Sequence, residues 1–161
     1  MVEKQMAKLD WVQPYLAIGP RPNDELDWHT LEEQGITLII DLNDDSLEAR
    51  KSKQLGIRHK GLRIDDPPKS PEDLVSSFGQ TGKWIEDERI AGGRVYLHCT
   101  AGQQRSPTFA MAYLMASGES QQKAESIVKA ARLGVWAGPV KIDLWRQALD
   151  AWTRQLSKGG R

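Results

Sequence analysis

Cysteine is nearly absent from this chain: Cys99 is the only one among 161 residues. One cysteine excludes a disulfide within the chain and any cysteine-rich zinc site. An excess of charge is absent too, because 22 basic residues match 22 acidic ones, which argues against broad electrostatic binding of nucleic acid or membranes. No apolar run approaches the ~18 residues of a membrane span, and Met1–Gln5 lacks the apolar core of a signal peptide. These absences predict a cytoplasmic protein, where a thiol stays reduced, with neither nucleic acid nor membrane as a partner.

The length predicts one domain with a substantial core. Residues 1–10 are mostly polar, which predicts a loose N-terminal arm. A single folded domain is expected over residues 11–157, and residues 158–161 are expected to fray.

Apolar, β-rich segments alternate with helical patterns along the domain. We predict strands at Tyr15–Gly19 (a short edge strand), Ile36–Leu42, Ile57–Ile64 and Arg94–His98. Helices are predicted from Asn23 or Asp24 to Gln34, from Ser46 to Leu55, and from Ser70, Ser106 and Ser120, with a last one carrying Trp145, Leu149, Trp152 and Leu156 on one face. The alternation indicates a single-domain α/β fold with a central, largely parallel sheet of four to five strands flanked by helices on both faces.

The most informative stretch runs from Arg94 to Thr108. A short apolar strand leads into the residues Cys99-Thr100-Ala101-Gly102-Gln103-Gln104, and an almost wholly apolar helix follows. A strand, loop and helix in this order aim the loop amides and the helix N-terminus at one point, which attracts an anion such as phosphate.

Cys99 and Arg105 open and close this loop. A cysteine beside a helix N-terminus and a guanidinium is expected to act as a thiolate nucleophile. Arg105 has a planar fork that can hold two phosphoryl oxygens at once. Ser106 places a hydroxyl within reach of the sulfur, where it can stabilise the thiolate as a leaving group. The amides of residues 100–104 would bind the remaining oxygens.

These residues resemble a known family. His98-Cys99, five residues, then Arg105-Ser106 is similar to the signature of the protein tyrosine phosphatase superfamily, and the small size is similar to that of its dual-specificity members. Gly92-Gly93-Arg94 resembles the approach to that family's active-site strand, and a looser likeness extends from Tyr15 to Leu156. The chain departs from the family at Gln103-Gln104, which bears on substrate preference.

The resemblance implies the activity and its requirements. It implies a cysteine-dependent phosphomonoester hydrolase that forms a phosphocysteine intermediate and acts on phosphotyrosine and phosphoserine or phosphothreonine in proteins. It also implies no cofactor, no metal and a monomeric catalytic domain over 11–157. The substrate-binding residues would be Thr100, Ala101, Gly102, Gln103, Gln104 and Arg105.

A proton donor for the leaving group is expected on a second loop at the same sheet edge. Asp66 lies 33 residues before Cys99, which fits the family's spacing of some thirty, and prolines follow it. We favour Asp66 over the neighbouring Asp65, while Asp44 and Asp45 are read as solvated turn residues. His98 is read as an orienting residue, and His29 and His59 as surface or structural.

The predicted pocket wall bears on which phosphomonoesters would fit. The segments before Asp66 that would form the outer pocket wall contain no tyrosine, which predicts a shallow pocket that also admits phosphoserine and phosphothreonine.

The loop Cys99–Gly102 also resembles that of glucan phosphatases, and phosphoglucan or phosphoinositide substrates stay open, although Gln103-Gln104 add no cation. A phospho-ligand binding module with little activity is the second class. A rhodanese-like sulfurtransferase fits less well, because its loop typically has four residues between the cysteine and the cation instead of five.

Overall fold

The structure, a computed structural model, describes residues 9–138 and 141–159. Its strands are β1 (Asp10–Gln13), β2 (Leu16–Gly19), β3 (Leu38–Asp41), β4 (Arg58–Gly61) and β5 (Val95–His98). Its helices are α1 (Glu25–Glu33), α2 (Ser46–Gln54), α3 (Leu74–Ile90), α4 (Arg105–Ala116), α5 (Gln121–Ala131) and α6 (Ile142–Gly159), with a 3₁₀ turn at Pro71–Asp73 before α3. Across 9–138 and 141–159, none of these helices combines the length and the apolar character that a membrane crossing requires.

The strands form one five-stranded sheet in the order β1-β2-β5-β3-β4. All neighbours are parallel except β1 and β2, which form an antiparallel pair. The predicted fold class is therefore confirmed. The assignment of Tyr15–Gly19 as an edge strand is wrong, because β1 covers that edge and leaves β2 fully buried between β1 and β5.

Helices cover both faces of the sheet, and the alternation of side chains along each strand divides the core in two. Leu38 and Ile40 of β3 face the larger core, which is shared with α3, α4, α5 and α6. Ile39 of β3 and Tyr96 of β5 face a smaller core with Trp28 and Leu31 of α1. Trp145, Leu149 and Trp152 of α6 lie in the larger core, so the tryptophan stripe is a packing face.

Several element ends differ from the prediction. Asp45, and not Ser46, caps α2: its carboxylate accepts from the backbone N–H of Leu47 at 2.8 Å and of Glu48 at 3.3 Å. Strand β1 begins at Asp10, inside the segment expected to be a loose arm, while residues 1–8 lie outside the described residues. Helix α6 continues to Gly159, inside the tail expected to fray.

The parallel strands end at the same level. The register pairs Gly19 and Asp41 with His98, and Gly61 with Asp41. The loops that follow β2, β3, β4 and β5 therefore meet at one edge of the sheet, which is where ligands bind in folds of this type.

Candidate active site

Cys99 follows the last residue of β5, and α4 begins six residues later at Arg105. The sulfur is almost fully buried, at 2% residue exposure. The backbone N–H of Ser106 donates to Cys99 Sγ at 3.5 Å, and Ser106 Oγ lies 3.5 Å from the same sulfur. The first turn of α4 therefore points a backbone donor at the sulfur and places the Ser106 hydroxyl beside it.

The carbonyl groups of the loop point away from its centre. Thr100 O accepts from the Arg21 backbone N–H at 3.0 Å. Ala101 O and Gly102 O accept from Arg132 Nη2 at 3.0 Å and Nε at 2.7 Å. Gln103 O accepts from the backbone N–H of Trp136 at 2.8 Å. Four successive carbonyls are thus bound from outside, by partners from two parts of the chain, the segment after β2 and the segment after α5.

At Gly102 of the loop, a residue with a side chain would not fit. Its φ is +71°, a left-handed conformation that favours glycine, and a Cβ there would lie 2.6 Å from the backbone carbon of Gly19. The close approach of the loop to the end of β2 therefore depends on this glycine.

Arg105 reaches from the first position of α4 across the mouth of the loop. Its Nη1 donates to Asn43 Oδ1 and to the carbonyl of Ile64, both at 3.0 Å, and its Nη2 donates to Thr100 Oγ1 at 3.1 Å. Its Nε is buried without a hydrogen-bond partner among the described residues. This orphaned donor is available to an anion.

The four aspartates considered as proton donors lie in two loops. Asp66 is closest to the arginine, with its Oδ2 at 3.7 Å from Arg105 Nε. Asp65 makes no ion pair among the described residues, although it lines the same cavity. Asp44 is exposed at the turn after β3, and Asp45 caps α2 and pairs with Arg21.

A cavity of about 750 Å³ opens over Arg105. Its wall combines both signs of charge with a few apolar groups, from Arg21, Asn43, Asp44, Asp45, Arg63, Ile64, Asp65, Asp66, Pro67, Lys69 and Arg105. Among the described residues that line it, none is aromatic. Tyr15 and Tyr113 line a different groove instead, and the Tyr96 hydroxyl donates to the carbonyl of Pro20.

A buried ionic cluster stands behind the loop, made of Asp41, Glu48, His59 and His98. His98 lies against both the cluster and the loop: Nδ1 donates to the carbonyl of Cys99 at 2.8 Å, and Nε2 contacts the Glu48 carboxylate. His59 Nε2 lies 3.1 Å from Asp41 Oδ2 and 3.6 Å from Glu48 Oε2. His59, expected from the sequence to be a surface or structural residue, is a structural member of this cluster, whereas His29 is exposed beside Glu33.

Burial and pairing shift the pKa values in this cluster in opposite directions. Burial lowers the pKa of His59, but hydrogen bonds to Asp41 and Glu48 outweigh it and raise that pKa to about 9. Burial alone would raise the pKa of Asp41 and of Glu48, yet the hydrogen bonds with His59 and the nearby His98 hold both below their usual values. Asp41, Glu48 and His59 are therefore expected to be charged around neutral pH.

The sequence motif predicts the residues that form the loop, but it does not predict the residues whose side chains hold the loop in place. Asn43, Glu48 and Arg132 were not singled out from the sequence. Asn43 follows β3 at the active-site edge, so the strand-end rule that pointed to Asp44 could have included it. Arg132 ends α5, and no local pattern links it to a loop thirty residues earlier.

The chain resembles known proteins over much of its length. Residues 21–148 match the sequence model of the family described as the catalytic domain of dual specificity phosphatases. Human dual specificity protein phosphatase 1 is 34% identical over 85 residues, which cover 53% of this chain and 22% of that protein. The chain therefore spans about a fifth of the length of this relative.

Two solved structures illustrate the likeness of the fold. A mouse putative dual specificity phosphatase, solved as a complex with zinc tungstate, matches with a TM-score of 0.76 at 24% identity, covering 99% of this chain and 95% of that one. PTPMT1 in complex with PI(5)P matches with a TM-score of 0.69 at 17% identity, covering 89% and 96%. With the family model matched over most of the chain, the predicted family is confirmed: this protein belongs to the dual specificity phosphatase catalytic domain family.

Proposed function

We propose that this protein hydrolyses phosphomonoesters through a covalent phosphocysteine on Cys99, acting as a dual-specificity protein phosphatase. The phosphoryl group binds between the amides of residues 100–104 and the Nε–Nη2 edge of Arg105. Cys99 Sγ attacks the phosphorus and the bond to the leaving oxygen breaks. Asp66 donates a proton to that oxygen, so the substrate leaves as a neutral alcohol or phenol.

The second step returns the enzyme to its starting state. The Asp66 carboxylate takes a proton from a water molecule, which attacks the phosphorus of the phosphocysteine. The sulfur leaves as a thiolate, and inorganic phosphate is released. The Ser106 backbone N–H donates to that thiolate, and the Ser106 hydroxyl, whose oxygen lies 3.5 Å from the sulfur, turns its hydrogen toward the thiolate and stabilises it as well.

The outward hydrogen bonds of the four carbonyls from Thr100 to Gln103 carry this proposal. A loop whose carbonyls are bound on its outside leaves its amide groups to converge on its inside. Such a nest binds an oxyanion and also stabilises the charge that builds up in the transition state. The orphaned Nε of Arg105 supports the same conclusion from the opposite side of the anion.

The test is turnover of p-nitrophenyl phosphate by the wild-type protein in the presence of EDTA, with vanadate as the inhibitor. We expect metal-independent turnover that vanadate abolishes. Cys99→Ser should abolish turnover but retain binding of tungstate, because Arg105 and the loop amides remain. Turnover that survives in Cys99→Ser would refute the covalent mechanism. Tungstate binding without turnover in the wild type would favour the binding-module alternative.

The breadth of the substrate follows from the cavity wall. Because no described residue lining the cavity is aromatic, nothing there favours the long phosphotyrosine side chain over the shorter phosphoserine and phosphothreonine. We therefore propose phosphorylated proteins as substrates. We also propose a cytoplasmic location, where the thiol of Cys99 stays reduced, and a monomeric catalytic domain, as the family resemblance implies. Turnover of matched phosphotyrosine and phosphothreonine peptides within about tenfold of each other would support dual specificity.

One observation favours a second candidate, a substrate with more than one phosphate group such as a phosphoinositide. Gln103 and Gln104 contribute no cation, yet Arg21, Arg63 and Lys69 lie on the cavity wall. A panel of phosphopeptides, phosphoglucan and phosphoinositides, assayed side by side, separates the candidates. A kcat/KM that is at least tenfold higher for phosphoinositides would displace the protein-phosphatase proposal.

A further inference from the structure

Arg105 is held on one side of its guanidinium more firmly than on the other. The Nη1 group donates to two acceptors at 3.0 Å, Asn43 Oδ1 and the carbonyl of Ile64. The Nε group is buried, has no hydrogen-bond partner among the described residues and lies 3.7 Å from Asp66 Oδ2. In arginine the Nε and Nη2 groups share one edge of the planar fork, and Nη1 lies on the other side. The contacts of Nη1 therefore hold one side of the guanidinium, while on the other edge Nη2 donates to Thr100 Oγ1 at 3.1 Å and Nε is left without a hydrogen-bond partner among the described residues.

Asn43 is itself held in place through its backbone and its side chain. Its backbone N–H donates to Asp41 Oδ1 at 2.8 Å, and Asp41 is fully buried at the end of β3. Its side-chain oxygen accepts from Arg105 and also from Thr100 Oγ1 at 3.3 Å, while Thr100 Oγ1 accepts from Arg105 Nη2. The three side chains form a closed triangle of hydrogen bonds. Because arginine can only donate, the oxygen of the Asn43 amide must be the atom that faces it.

We propose that Asn43 is a positioning residue that sets the orientation of Arg105 toward the phosphoryl group. The inference rests on the proposed function, since it concerns the arginine of the same site. A long arginine side chain loses conformational freedom when it binds an anion, and a prior hydrogen bond reduces that loss. Asn43 supplies this bond from a neutral oxygen, so the guanidinium keeps its full charge for the substrate.

Two variants at position 43 separate the effect of the hydrogen bond to Arg105 from the effect of a neutral side chain. A carboxylate in Asn43→Asp would keep the bond to Nη1 but would also form an ion pair that competes with the phosphate. An alanine in Asn43→Ala would remove the bond and add no charge. If orientation matters, Asn43→Ala must weaken binding of the oxyanion, and if neutrality also matters, Asn43→Asp must not restore it.

The experiment measures kcat/KM for p-nitrophenyl phosphate and the affinity for tungstate in wild type, Asn43→Ala and Asn43→Asp. Asn23→Ala is the matched control, because Asn23 is exposed and lies outside the active-site cavity. We expect Asn43→Ala to lower kcat/KM roughly ten- to hundredfold, as misplaced catalytic groups typically do. Tungstate affinity should fall in parallel, Asn43→Asp should not recover it, and the control should stay within twofold of wild type.

A double-mutant cycle shows whether Asn43 acts through Arg105. Adding Asn43→Ala to Arg105→Lys should cost less than about threefold more, because the lysine lacks the group that Asn43 holds. An equal loss in both backgrounds would overturn the proposal, as would an Asn43→Ala protein within twofold of wild type. Thermal melting identifies a folding defect, and Asn43→Ser, which is too short to reach Nη1, then replaces the alanine variant.

The binding readout keeps this inference distinct from the proposed function. If wild type turns over no phosphoester, the proposed function fails, and the tungstate affinities of the same variants still decide the role of Asn43. If wild type binds no tungstate, Arg105 holds no oxyanion and the inference fails as well.

Discussion

The loop between Cys99 and Arg105 has two sides: the groups on its inner side are those that we propose bind a phosphate, and the groups on its outer side contact the rest of the protein. The inner side consists of the sulfur, the amides and one edge of a guanidinium. The outer side is held by side chains, namely Arg132 at the carbonyls of Ala101 and Gly102 and His98 at the carbonyl of Cys99, and by the backbone N–H groups of Arg21 and Trp136. The inner side therefore determines the chemistry, and the outer side determines whether the inner groups converge.

The outer side depends on two different kinds of contact. Arg132 is partly exposed and also pairs with Asp10 of β1 at 2.8 Å. His98 is fully buried with Glu48 and Asp41 beneath it. An ion pair that keeps some contact with solvent contributes less to stability than a fully buried pair, which costs several kcal/mol when one partner is removed. Changes at the two positions should thus differ in whether they affect activity or stability.

The largest effect is expected on the inner side, at Asp66. Asp66→Asn should lower kcat by roughly 10²–10⁴, the usual range for loss of a general acid. The loss should be greater for an alkyl phosphate than for p-nitrophenyl phosphate, whose leaving group needs less help from a proton. Rates for both substrates, measured for Asp66→Asn and for the matched variant Asp65→Asn, decide the assignment. If only Asp65→Asn shows this dependence, then Asp65 is the acid.

The inner side was predictable from the sequence because its residues are adjacent in the chain. Residues 94–105 contain the strand, the cysteine, the glycine and the arginine in one local pattern. Such a pattern can be recognised in a sequence without knowledge of tertiary contacts. The fold class followed from the alternation of apolar segments. The edge strand was misplaced because Asp10–Gln13 is short and was partly assigned to the arm.

The outer side was not predictable because its contacts join distant parts of the chain. Arg132 contacts a loop about thirty residues earlier, and Glu48 contacts His98 across 50 positions. A sequence alone also does not distinguish a charged residue that is buried from one that lies on the surface. Without a helical or strand period to mark it, His59 was indistinguishable from a solvated histidine.

The first outer position to test is Arg132. Arg132→Ala removes the donors to two loop carbonyls, which frees the loop to rotate its amides away from the anion. We expect kcat/KM for p-nitrophenyl phosphate to fall by about ten- to hundredfold. Arg132→Lys should recover only part of this, because one ammonium cannot replace two guanidinium donors in fixed geometry. Arg154→Ala, an exposed arginine on α6, should remain at the wild-type rate; equal losses in both alanine variants would show that Arg132 has no special role.

The second outer position is Glu48, where stability should change more than activity. Glu48→Gln keeps the shape of the side chain but removes the charge that faces His59 and His98. We expect the free energy of unfolding in urea to fall by about 1.5–3 kcal/mol, the range for hydrogen bonds to charged groups. The comparison is Glu25→Gln, whose pair with Lys51 is exposed and should contribute less than about 1 kcal/mol. Similar values for the two variants would mean that the buried cluster adds nothing beyond a surface pair.

The pH dependence of stability gives the finest test of the buried cluster. The pKa of His59 is about 9 in the folded protein and about 6.5 in an unfolded chain. A raised folded-state pKa means that the folded protein binds the proton more tightly, so the contribution is fully present below pH 6.5 and is lost as the pH rises through 9. The free energy of unfolding should therefore decrease between these values, by at most about 1.4 kcal/mol per pH unit.

His59→Gln isolates this contribution, because it removes the titrating group and leaves Asp41 and Glu48 in place. Urea unfolding of both proteins at pH 6, 7.5 and 9 should show a steeper decline in wild type than in the variant. Parallel profiles would mean that Asp41 and Glu48 do not raise the pKa of His59 in the folded protein. The cluster behind the loop would then contribute a stability that does not change as His59 titrates, and the buried carboxylates Asp41 and Glu48 would owe their stabilisation to partners other than a charged His59.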